Sequence, residues 1–148
     1  VSSNFTDNVL HSNPMLGLVV GVHLLAEAQL RSVLSASLEK PGALLSGQGP
    51  SFSILVNVCE AVGSIESDLA RVLRALNSLR NKYAHRLSFE ASKENVAVFL
   101  QALRDMKTPF FVSDVGPTER ELAIAIAALS GWLEKRYGNA GSGLASCV

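Results

Sequence analysis

Residues 76–85 read LNSLRNKYAH, and three of these side chains have the chemistry of a site. The Arg80 guanidinium keeps its charge, so wherever it is enclosed it demands a partner; its donor fork suits a carboxylate or a phosphate. His85 carries an imidazole, whose ordinary pKa lies close enough to neutrality for proton transfer. Asn81, four residues before His85, shares its face of a helix. At about 100° per residue, Leu69, Val72, Leu73, Leu76, Leu79 and Tyr83 fall in one arc of roughly 120°, a core-facing stripe. Arg80 falls inside that arc, whereas Arg71, Arg74, Ser78 and Lys82 fall opposite it.

Three arrangements would satisfy an arginine on that face. It pairs with an acid from another helix, it reaches solvent at the end of a bundle, or it lines a pocket for an anion. Glu27, which interrupts another apolar helical run, is the obvious internal partner. His85 points about 140° away from Arg80 on an unbroken helix. The two share a ligand only if the helix ends or bends between them, or if a second copy of the chain supplies the other half across a two-fold axis. Between Leu69 and Glu90, five basic residues (Arg71, Arg74, Arg80, Lys82 and Arg86) stand against the single acid Glu90. This local excess favours anions, although runs of this size also serve as solvated faces.

Other chemistry is poorly supplied. His23 and Glu27, four apart on one helix, have the spacing of two metal ligands, but with only His11 and His85 left no complete set is evident. The pair reads instead as a satisfied helix pair. There is no Gly-rich phosphate loop, nucleophile elbow or HExxH motif, and no cofactor is implied.

The elements that must carry these residues are helical. Pro14 opens a first helix that runs to about Lys40, and Pro41 and Gly42 end it. After the loop PGALLSGQGP, Ser51 caps a second helix closed by Gly63. A third begins at Ser64 or Ser67 and runs through LNSLRNKYAH. Ser92 caps a fourth, and residues 107–116 are irregular but apolar enough to pack down. Pro117, with Glu119 and Glu121 in the first turn, starts a fifth that ends at KRYG, with Leu122, Ile126, Leu129 and Leu133 as its core stripe. The expectation is an all-α antiparallel bundle of about five helices. It forms one domain over residues 14–138, with a flexible arm at 1–13 and a flexible tail at 139–148. Met15 and Phe99 belong to the core, and Trp132 to the core or a dimer contact.

The 148 residues contain 48% hydrophobic and 18% charged residues, a globular composition. Lys plus Arg and Asp plus Glu both number 13, so no global field draws the chain to nucleic acid or anionic lipid. Cys59 sits in an apolar run as a buried thiol, Cys147 lies in the polar tail, and a reducing compartment is the simpler setting. His23, Glu27 and Gln29 interrupt the longest apolar run, residues 15–30, short of a membrane span. The expectation is a cytoplasmic protein without membrane contact.

Arg80-Asn81-Lys82-Tyr83-Ala84-His85 resembles the HEPN superfamily signature, an Arg, usually a polar residue next, and a His after four to six intervening positions. Glu27 in a long first helix, then PGALLSG, SFSILVNVCEAVGSI and LNSLRNKYAH, is similar to the mannitol operon repressor branch over roughly Pro14 to Asp105. The resemblance implies a bundle of four or five helices that forms a homodimer with the motifs near the two-fold axis. Many HEPN proteins are metal-independent endoribonucleases; others bind nucleotides or act as partners of nucleotidyltransferases, and the mannitol repressor branch is regarded as regulatory. No helix-turn-helix spacing or aromatic-interleaved basic surface supports direct DNA binding. The first expectation is a regulatory or interaction protein acting through a protein partner or a bound anion, with Glu27, Arg71, Arg74, Lys82 and Arg86 as binding residues. The alternative is an RNA endonuclease. His85 would then be its general acid or base, Arg80 would hold the scissile phosphate, Asn81 would orient either, and Tyr83 would pack beneath or donate its hydroxyl.

Overall fold

Pro14 lacks the N–H that a first helical turn leaves unpaired in any case, and the Asn13 side chain accepts from the Leu16 N–H at 3.2 Å. From that cap the computed structural model, which describes residues 13–106 and 117–138, runs through six helices. They are α1 (Pro14–Ser37), α2 (Gly42–Leu45), α3 (Phe52–Ala61), α4 (Ser67–Arg86), α5 (Phe89–Asp105) and α6 (Glu119–Tyr137). The chain is an all-α helical bundle, with no strand among the described residues. The expectations for residues 1–12, 107–116 and 139–148, Cys147 included, lie outside the described residues.

The element ends follow local chemistry, with three corrections to the sequence reading. The first helix stops at Ser37, not near Lys40. Leu38 is already extended (ψ 144), and the Lys40 and Pro41 carbonyls accept from Ala43, Leu44 and Leu45, so the expected loop holds the single turn α2. Ser92 does not cap the fourth helix. Ser88 does so four residues earlier, accepting from the Ala91 N–H at 3.1 Å, while Ser92 is buried inside α5 with its hydroxyl unpartnered among the described residues. The last helix, expected to start at Pro117, begins at Glu119 with Thr118 as its cap, and Glu119 and Glu121 lie in the first turn as expected. Ser51 caps α3 and accepts from Ile54, and Gly63 (φ 79) turns the chain beyond it.

α4 is the central element, packed against α1, α3 and α5. Its buried residues are Leu69, Ala70, Val72, Leu73, Ala75, Leu76, Leu79 and Tyr83, which include every member of the expected stripe. α5 folds back on it after only Leu87 and Ser88, an antiparallel helical hairpin. Leu87 takes up left-handed backbone (φ 53), which costs a branched residue about 1–2 kcal/mol. Two bonds hold it there: its N–H donates to the Tyr83 carbonyl at 2.8 Å, and its carbonyl accepts from Asn13 Nδ2 at 2.9 Å. The second bond ties the start of α1 to the end of α4. Further along, His23 meets Asn77, so α1 and α4 run in opposite senses.

One core cluster draws on all five longer helices, with Phe99 in it, Leu122, Ile126, Leu129 and Leu133 as the α6 stripe, and Met15 and Trp132 packed partly buried against it. Cys59 is buried, as expected, and burial pushes its thiol up to about 11. By length and composition α1 passes the test for a helix able to cross a membrane, contrary to the sequence reading. In the bundle it packs against α3, α4 and α6 and buries His23 and Gln29.

Candidate functional site

Arg80 stands within the buried arc of α4, toward one edge of it and in the C-terminal half of the helix. It is half-buried. Glu27 does not pair with it. The nearer cation on α1's own face is Arg31, one turn on, whose Nη2 donates to Glu27 Oε1 at 3.5 Å and to the Gln48 carbonyl at 3.5 Å. That clamp explains Gly49. Its φ is +67, and a Cβ there would lie 2.9 Å from Arg31 Nη1. Glu27 is therefore held by an ion pair within its own helix, to an Arg31 that also contacts the loop. Among the described residues Arg80 has one hydrogen-bond partner, Asn81, whose Oδ1 accepts from Nη1 at 3.2 Å, and its buried Nε has no acceptor. An enclosed donor left unmade costs about 1–3 kcal/mol.

The side chain that does meet α4 from α1 is His23, only 6% exposed. Its Nε2 lies 3.0 Å from Asn77 Oδ1, which makes Nε2 the donor of a neutral ring. Phe52, the first residue of α3, stacks on the imidazole with centroids 4.1 Å apart. The expected His23–Glu27 pair is thus replaced by an interhelical bond. Asn77, Arg80 and Asn81, at spacings of three and four, share a flank of α4, so His23, Asn77 and Arg80 form a polar seam between otherwise apolar helices. Burial lowers the His23 pKa below its ordinary value, the Asn77 hydrogen bond opposes this, Arg80 adds to the lowering and Glu27 opposes it.

This sets a pH dependence. The unfolded chain protonates His23 near 6.5, and the fold does so lower. Above 6.5 both states hold the ring neutral and its contribution to stability is complete. As pH falls below 6.5 the unfolded chain binds the proton first, so stability drops until the folded pKa is passed. Urea midpoints should fall between about pH 7.5 and about pH 5.5, and His23→Gln should flatten that slope. An equal slope in both proteins would refute the assignment.

The remaining candidates separate. α4 is unbroken through Arg86, so Arg80 and His85 diverge by about 140°, and no bend brings them to one ligand within a chain. His85 is exposed in the last turn, where the helix dipole favours it, and Asn81 lies between the two on the helix surface. Tyr83 is buried and its hydroxyl has no partner among the described residues. Burial first, and then the Glu119 charge, push it up to about 12. Arg71 and Arg74 lie on the other side of α4, along a cleft of about 480 Å³ against α5. Arg74 is committed to Asn57 (2.8 Å) and Glu60 (2.9 Å), and Arg71 makes a long contact to Asp105 (3.8 Å). Lys82 is half-buried and Arg86 exposed. The basic residues are therefore spread around the helix and do not form one patch with Arg80.

No family model, curated protein or solved structure matches the chain.

Sequence reasoning set His23 aside and passed over Asn77. The available signal was that each is a polar residue on the buried side of an apolar helix. Which of several such residues meet depends on how the helices are registered, and neither helix's own pattern contains that.

Proposed function

We propose that the chain is a HEPN-like homodimeric regulatory or interaction protein, of the kind the mannitol operon repressor resemblance implies, acting through a bound anion or a protein partner. The observation that carries this reading is the state of Arg80: a half-buried guanidinium whose Nε–H is enclosed, with no acidic partner and no Nε acceptor among the described residues. Such a group is stabilised by an oxyanion that accepts from its fork. The balanced net charge supports a small or local ligand over a long polyanion.

The alternative, a metal-independent RNA endonuclease, draws on the same freedom of Arg80 and on an exposed His85 with Asn81 between them. Across a dimer, His85 of one protomer would remove the proton from a ribose 2′-hydroxyl, and Arg80 of its partner would hold the phosphate. The products would be a 2′,3′-cyclic phosphate and a 5′-hydroxyl.

Sedimentation velocity combined with incubation on single-stranded RNA in EDTA separates the two. The regulatory reading expects a dimer and no cleavage by either the wild type or His85→Ala. Cleavage by the wild type and not by the variant would reverse the order of the two, and a monomer would remove both.

A further inference from the structure

The seam contains a second imidazole that the RNKYAH motif does not include. His23 enters from α1, Asn77 fixes it at 3.0 Å, Phe52 covers one face of the ring, and Arg80 stands one turn beyond Asn77. Resting on the anion reading above, we propose that this seam is a receptor for a tetrahedral phosphoryl oxyanion, held by the Arg80 guanidinium and the His23 imidazole rather than by His85 of the same chain.

The geometry supplies each part. Arg80 gives up no ion pair on turning toward an anion, because Glu27 is engaged by Arg31. Its Nε–H, unpartnered among the described residues, gains an acceptor in doing so. A side-on approach uses Nε and one Nη together, the two-donor edge that matches two oxygens of a phosphate. His23, by contrast, offers no second donor while neutral. With Nε2 given to Asn77, Nδ1 is an acceptor and repels an anion. Once protonated, the ring donates at both nitrogens. The ligand and a proton should therefore bind together.

The surroundings poise this exchange. The charges that act on His23 are Arg80 from α4 and Glu27 from its own helix; α3 presents Phe52, and no charged group of α5 or α6 acts on it among the described residues. Burial and Arg80 now favour the neutral ring. A bound dianion offsets the Arg80 charge and adds an acceptor, which favours the protonated ring. By linkage, affinity rises as pH falls, by up to tenfold for each unit by which the ligand raises the His23 pKa.

Sulfate is the probe, because it stays a dianion across the range and its own protonation does not intrude. Calorimetry at about pH 7.5 and about pH 5.5 should show wild-type affinity rising by roughly tenfold. His23→Gln should lose the rise and His85→Ala should keep it. Imidazole NMR of the wild type reads the same event without a variant: sulfate should raise the His23 midpoint. Inorganic phosphate and phenyl phosphate should both displace sulfate, and the one effective at lower concentration tells a free ion from an ester. The proposal is overturned if sulfate moves the midpoint of His85 and not of His23, if His23→Gln keeps the wild-type pH dependence, or if neither phosphate competes. A dimer that binds no sulfate at either pH overturns the anion route as a whole and leaves the protein-partner route standing.

Discussion

Replacing Phe99 with alanine is expected to lower the unfolding free energy by about 3–5 kcal/mol, a large share of the roughly 5–15 kcal/mol of a whole domain. Phe99 is fully buried in α5, where α5 makes the most extensive helix–helix contact in the molecule, with α4. The truncation removes the transfer energy of the ring and leaves a cavity that two helices joined by a two-residue turn have little freedom to close. Urea unfolding measures it, with Val98→Ala as the comparison. Val98 is the neighbouring residue but 61% exposed, and its loss should stay within about 0.5 kcal/mol. A Phe99→Ala loss under about 1 kcal/mol would mean that α5 does not pack on α4 as described. Because α4 holds both Asn77 and Arg80, the same variant should also weaken anion binding without touching the seam.

Arg80→Met is expected to move stability and binding in opposite directions. Methionine keeps an unbranched stem for the half-buried position and removes a buried Nε–H that has no acceptor among the described residues. The fold should gain about 1 kcal/mol, toward the lower end of what an unmade buried hydrogen bond costs. Sulfate binding should fall by about a hundredfold, since a charge-assisted two-donor contact contributes around 3 kcal/mol. Thermal unfolding and calorimetry on one preparation read both effects. A variant less stable than the wild type would mean that Arg80 is held by contacts that stabilise the fold, and the case for a ligand would go with it. A structural arginine destabilises when removed; a binding arginine kept at a cost to the fold does the reverse.

The helical class was legible because the apolar spacing in α4 and α6 is strong and the cap at Ser51 is chemically explicit. Every residue of the α4 stripe placed inside by its angle is buried, and Arg71 and Arg74 placed outside are exposed. Arg80 was legible as an anomaly for the same reason. Its partner was not. Glu27 looked right from the pattern of α1, but Arg31, one turn away on the same helix, competes for it at no cost in tertiary structure. Ser92 misled because two serines four apart both have capping chemistry, and the choice between them fell to the two-residue turn at Leu87, which needs the earlier one. His23 and Asn77 are joined by packing across 54 positions of chain, and a pairing of that kind has no signature in either neighbourhood.

The bond from Asn13 to the Leu87 carbonyl has a practical corollary for handling the protein. Asn13, the first described residue, is fixed beside Leu87, two residues after His85. A purification handle joined before residue 1 would hang from that point on a tether of at most about 40 Å, within reach of the histidine whose role is in question and of any second protomer that approaches there. Binding and cleavage measurements should use material cleaved of such a leader or labelled at the opposite terminus.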